Sequence, residues 1–157
     1  MFRPMRRIKQ QLSEEEALDV LKNAKRGVLS VIGDDGWPYG IYLNPLYDES
    51  TGRFYFHGAK AGHKIDALKK DARASFTVID DGVKDEGGWA YTFRSVVVFG
   101  RVEFVEDQNE VVDICRRHGT IIICDEIWSD IIMDGYKHVQ VFALTPAHIT
   151  GKRVHEA

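Results

Sequence analysis

The stretch Arg53–Lys70, RFYFHGAKAGHKIDALKK, governs how the rest of the chain is read. Arg53-Phe54-Tyr55-Phe56-His57 is dense in aromatic side chains, which suit a half-buried strand because they pack well on a pleated surface. Gly58-Ala59-Lys60-Ala61-Gly62 interrupts that strand with small residues. From His63 the spacing turns helical, with Ile65 and Leu68 apolar and three apart. A strand, a glycine-bearing turn and a helix together leave backbone N–H groups and the positive end of a helix dipole beside Lys60, His63 and Lys64. That combination suits an anion, phosphate above all. A solvated helix start rich in lysine would carry the same residues, and both readings stand at this point. The phosphate loop of nucleotide triphosphatases does not fit. Its GxxxxGK[ST] pattern would need the second glycine one residue later, and Ile65 replaces the hydroxyl that would meet magnesium.

Upstream, Ser13-Glu14-Glu15-Glu16 is a capping box, with Ser13 as N-cap and Glu16 three residues in. Ala17, Leu18, Leu21 and Ala24 then give one apolar helical face, and Gly27 is a stop. Gly27–Ile32 reads as a strand, Gly33-Asp34-Asp35-Gly36 as a hairpin turn, and Pro38–Tyr47 as the returning strand, with Pro45 implying an edge or a bulge. Downstream, Ala72–Ile79 is a fourth strand, and the polar stretch from Asp80 to Gly88 is a loop. Tyr91–Val105, YTFRSVVVFGRVEFV, is the longest strand signal, with Gly100 marking a bulge or bend. Along it Phe93, Ser95, Val97 and Phe99 share one face, and Arg94, Val96 and Val98 the other. Glu106–His118 reads as a helix, Ile121–Ile123 as a short buried run, Asp125–Asp134 as another helix, and Tyr136–Leu144 as a last strand ended by Thr145-Pro146.

Six strands in hairpin-like succession, with one helix between strands in the first two-thirds, predict an antiparallel barrel, since parallel strands need a crossover between most pairs. The 157 residues suit a single domain spanning 1–157. The chain is 44% hydrophobic, which is a globular composition, and a net charge of -3 argues against a nucleic-acid footprint. No apolar run approaches the roughly 20 residues of a membrane span. No secretory signal is apparent, and Cys115 and Cys124 fit no CxxC pattern, so a reducing cytoplasm is the expected compartment.

The motifs carry a resemblance. MFRPMRR, GVLSVIGDDGWPYGIYLNPLY, FYFHGAKAGHKIDALKKDARASFTVID, FRSVVVFGRVEFVED and LTPAHITGK resemble the split-barrel flavin-binding proteins related to pyridoxamine 5'-phosphate oxidase, in particular the nitroimidazole-resistance branch. The resemblance implies a six-stranded antiparallel split β-barrel with flanking helices, and a homodimer with flavin mononucleotide (FMN) at its interface. It implies that His57, Gly58, Ala59, Lys60, His63 and Lys64 hold the phosphate and ribityl chain. Tyr42, Leu43 and Asn44 would border the isoalloxazine ring, and Arg94 and Ser95 would lie on the strand beside the cofactor. The activity implied is a flavin-dependent oxidoreductase that takes electrons from a reduced nicotinamide and gives them to a small acceptor such as a nitroaromatic. A flavin carrier or redox sensor without turnover is the alternative. A metal site built on His57, His63 and Asp66 is a weaker third reading, because it lacks a further ligand. Val112–His138 departs from the pattern and resembles a piece of pyridoxal-phosphate lyases around Asp125, but the chain has no room for the domain such an enzyme needs.

Overall fold

A computed structural model describes residues 1–33, 35–84, 86–119 and 139–156. After a 3₁₀ turn at Ile8–Gln10 the elements are α1 (Glu14–Asn23), β1 (Gly27–Ile32), β2 (Pro38–Leu43), β3 (Leu46–Asp48), β4 (Arg53–Ala59), α2 (His63–Lys70), β5 (Arg73–Ile79), β6 (Val83–Lys84), β7 (Tyr91–Val105), α3 (Gln108–His118) and β8 (Val139–Glu156). The strands form one antiparallel sheet in the order β2-β1-β5-β7-β8-β4-β3, with β6 paired to β7, curled into a half-barrel. The expected antiparallel split barrel is therefore the architecture found.

Eight described strands stand where six were expected. Pro38–Tyr47 divides at Asn44-Pro45 into β2 and β3, because proline cannot donate to a ladder. The loop after Asp80 contributes the two-residue β6. The last strand is also longer than expected, since Pro146 does not end it. Pairing with β7 continues past the proline to Glu156, through a register shift opposite Phe99/Gly100. The partner on the other side, β4, reaches only Leu144, so no ladder on that side needs the missing N–H of Pro146. The expected runs Ile121–Ile123 and Asp125–Asp134 lie outside the described residues.

Capping closes α1 as the sequence indicates. Glu16 N donates to Ser13 Oγ at 3.2 Å, and Ser13 N donates to Glu16 Oε2 at 2.9 Å. Inside the barrel Phe54, Phe56, Phe76 and Phe142 are fully buried together with Leu29, Leu144, Val78, Val96 and Val98. Phe56 meets Phe76 edge-on at 5.0 Å between centroids. A second, smaller cluster lies outside the barrel, where Val111 and Ile114 of α3 cover Tyr55, Val141 and Ala143.

Two polar clamps hold α3 there. At its first turn Glu110 accepts from Arg53 Nη1 at 3.1 Å and from the Tyr55 hydroxyl at 3.0 Å. At its last turn Arg117 and His118 reach the buried Asp48 at 2.8 and 3.3 Å. Burial alone would push the Asp48 carboxyl up, but hydrogen bonds from Ser50, Thr51 and His118 outweigh it and bring its pKa down to about 2. A carboxylate with a folded-state pKa below its unfolded value stabilises the fold above the unfolded value, near 4, and that contribution fades as pH falls toward 2. Urea titrations from pH 7 to pH 2 are expected to show Asp48→Asn less stable by about 2 kcal/mol above pH 5, with the gap closing below pH 4. A gap that does not change with pH would show that Asp48 acts only through packing.

Candidate functional site

The turn from β4 to α2 is built by glycines in different roles. Gly62 precedes α2 with φ +114, a backbone state that L side chains rarely adopt, and no side chain caps the helix. Gly58 makes room for an ammonium, because a Cβ there would lie 2.5 Å from Lys64 Nζ. Lys64 is half-buried over the Phe142 ring, 5.5 Å from its centroid, and has no carboxylate partner among the described residues. Burial pushes its pKa down, because the charged form loses water without gaining a counter-charge. His63 stacks on Tyr39 of β2 at 4.2 Å between ring centroids. The start of α2 thus bridges the end of β4 and the β1–β2 hairpin. The role of Tyr39 had no local signal in the sequence, because its partner lies 24 residues away (63 − 39).

The expected site residues divide into three places. Gly58, Lys64 and His63 gather at the start of α2, with Ala59 and Lys60 exposed beside them. His57 points to the other side of β4, where it shares a cleft with Asn44, Leu46, Tyr55 and the α3 residues Val111 and Ile114. Tyr42 projects from the outer sheet face and is 78% exposed, while Leu43 turns inward against the core, as alternation along β2 requires. Ser95 is half-buried on that outer face, between Ile79 and Lys152. Arg94 faces the other way and is held by Asp80 at 2.7 Å and Asp19 at 2.9 Å. Arg94 and Ser95 lie near the start of β7, whereas the α2 end of the barrel lies beyond Val105, which pairs with Val141. Among the described residues no three metal-capable side chains come together.

A family model described as pyridoxamine 5'-phosphate oxidase matches residues 13–153, nearly the whole chain. The chain belongs to the pyridoxamine 5'-phosphate oxidase family. Solved structures of similar fold include a candidate 5-nitroimidazole antibiotic resistance protein from Bacteroides thetaiotaomicron, 22% identical with a TM-score of 0.73, over 92% of this chain and 87% of that one. A protein described as FAD-binding from Mesorhizobium loti is 22% identical with a TM-score of 0.65, over 92% and 97%. Another, from Mycobacterium smegmatis, is 19% identical with a TM-score of 0.67, over 94% and 99%. No curated protein matches the chain. Among the described residues no helix is long and apolar enough to cross a membrane.

Gly58→Ala offers a direct probe of the clamp at the start of α2. The added methyl meets the far end of a flexible lysine and not backbone, so the lysine is expected to move. The melting temperature should stay within a degree or two, while affinity for a phosphate-bearing ligand falls about tenfold by isothermal titration. A large loss of stability with affinity intact would show that the glycine serves the strand.

Proposed function

We propose that this protein binds FMN between two copies of the chain and works as an oxidoreductase, moving electrons from a reduced nicotinamide to a small acceptor, with nitroaromatics among the candidates. The observation that carries this reading is the half-buried Lys64 ammonium, which has no carboxylate partner among the described residues, at the uncapped start of α2. Such a cation is costly until an anion arrives, and a phosphate monoester supplies both charge and acceptor oxygens. His63, fixed against Tyr39, and the exposed Lys60 add further donors at the same point. The bound flavin supplies the redox chemistry, accepting and releasing electron pairs.

The chain's own part is to hold the phosphate at Lys64, to offer the outer sheet face around Tyr42 and Ser95 to the ring, and to exclude water from that face. The phosphate clamp and Ser95 belong to different ends of the β7 ladder, which favours their serving one cofactor from two chains. Exposed Tyr42 and half-buried Val97 and Phe99 give that face the apolar character a subunit contact needs. Arg94, already bound by two carboxylates, then supports the strand beside the cofactor. The FAD-binding relatives support a flavin, and the mass of the released chromophore distinguishes mononucleotide from dinucleotide.

The purified protein is expected to be yellow, to sediment as a dimer and to release FMN on denaturation. It should also oxidise a reduced nicotinamide continuously when an acceptor is present. Flavin retention without that oxidation would establish a carrier or sensor. A colourless protein that takes up no added flavin would overturn the proposal at the Gly58–Lys64 turn.

A further inference from the structure

Where β7 begins and β8 ends lies a cleft of about 270 Å³. Lys9, Gln10 and Leu12 line it from the 3₁₀ turn and its exit, and Thr92, Arg153 and His155 from the two strands. The strand register fixes its side of the sheet. Thr92 pairs with His155, Arg94 with Arg153 and Ser95 with Lys152. Paired residues point the same way and neighbours along a strand alternate, so Thr92, Arg153 and His155 share the side on which Arg94 meets Asp19 of α1. Ser95 lies on the opposite, outer face. The turn is fastened here, since Leu12 N donates to the Gly151 carbonyl at 3.0 Å and Gln11 bridges to Lys152, so the cleft exists before any ligand enters. Arg153 donates through Nη2 to Glu16, and a guanidinium carries further N–H donors. Lys9 is exposed, and the Thr92 hydroxyl and His155 Nδ1 hold each other at 2.9 Å. Gln10 Oε1 is buried with no hydrogen-bond partner among the described residues, which is a cost to the fold until a donor reaches it. The buried Leu12 supplies an apolar wall.

We infer that this cleft binds a small hydroxy-carboxylate: Arg153 and Lys9 take the carboxylate, and the hydroxyl beside it donates to Gln10 Oε1. A carboxylate presents two oxygens in a plane, which the planar guanidinium matches. Glu16 already draws on the charge of Arg153, so a monoanion suits the pair better than a phosphate dianion. The hydroxyl answers the buried acceptor that a plain carboxylic acid would leave unmet. The volume lies below the roughly 300 Å³ at which drug-sized sites begin, which limits the ligand to a few carbons beyond the charged group. None of these residues belongs to the phosphate clamp or to the outer sheet face, so the site is independent of flavin binding.

The test titrates 2-hydroxyisobutyrate into the intact, isotope-labelled protein, followed by NMR, with isobutyrate and inorganic phosphate as comparisons. The probe is expected to give NOEs from its methyls to Leu12 and Thr92, to bind about fivefold more tightly than isobutyrate, and to bind more tightly than phosphate. At about a hundred times its Kd it should raise the melting temperature by roughly 5–10 °C. Lys9→Met, at an exposed position, should weaken the probe about fivefold with the melting temperature of the unliganded protein unchanged. Gln10→Leu should erase the preference for the probe over isobutyrate and leave the unliganded protein equally or more stable, because it removes the unmet acceptor. Arg153→Gln should weaken the probe more than about tenfold. If its release of Glu16 unfolds α1, the Lys9 and Gln10 variants decide. No binding, equal binding of isobutyrate, tighter binding of phosphate, or NOEs to other residues would each overturn the inference. Flavin content should be the same in the Lys9 and Gln10 variants, and its loss there would overturn the independence of the two sites.

Discussion

Lys64→Met is expected to weaken FMN binding by roughly 10- to 150-fold, the equivalent of the 1.5–3 kcal/mol that a charge-assisted hydrogen bond supplies. Methionine keeps the length and apolar stem of the lysine but removes the ammonium. The physical claim is sharper than loss of affinity alone, because the same change should not destabilise the flavin-free protein. Burial already pushes the Lys64 pKa down, so the flavin-free fold bears a desolvated charge with only the Phe142 ring beneath it. Removing that charge should leave flavin-free stability equal or higher in urea titration, opposite in sign to the effect on binding. The pH dependence follows the same logic. A lysine with a lowered folded-state pKa loses its proton sooner as pH rises, so unmutated protein should begin to release FMN below the ordinary lysine range, whereas the variant's weaker affinity should lack that alkaline step. A variant that binds FMN normally would remove Lys64 from the site. A variant that loses both stability and flavin would mark it as structural.

Gly100→Val carries the largest expected effect on stability. A Cβ at position 100 would lie 2.2 Å from the Thr145 carbonyl oxygen and 2.9 Å from Leu144 Cδ1. The first is backbone in the long β7–β8 ladder, so relief requires the strands to part where the register already shifts around Ala147. The loss is expected to be about 3 kcal/mol or more, equivalent to a drop in melting temperature of roughly 6–12 °C for a chain of this size. Scanning calorimetry on the variant checks it. A drop under 2 °C would mean that the two strands separate at this point with little loss of other contacts.

The local signals held where the cause was local. Ser13 and Glu16 cap α1 because both partners of that box sit within four residues. The fifteen-residue strand Tyr91–Val105 has the boundaries its alternation predicts, because its even positions face the core and its odd positions do not. Gly100 reads as an irregularity in sequence, yet the extra residue belongs to β8 at Ala147, and only the pairing of the two strands reveals that. The residues proposed to hold a phosphate, Gly58, His63 and Lys64, were legible within one short string. Their separation from His57 was not, since it follows from which face of β4 each residue occupies and from what then covers that face.

The capped first helix, the strand-turn-helix with its cations, the antiparallel sheet and the family to which the motifs point could all be read from the chain, since each rests on residues a few positions apart. Tertiary structure alone decided the rest. It paired Asp48 with Arg117 and His118, set Tyr39 against His63, tied Arg94 to Asp19 and Asp80, and laid α3 over Tyr55 and Val141 to make a cleft. These contacts join residues remote in the chain, and their energies depend on burial and distance, which local patterning does not encode.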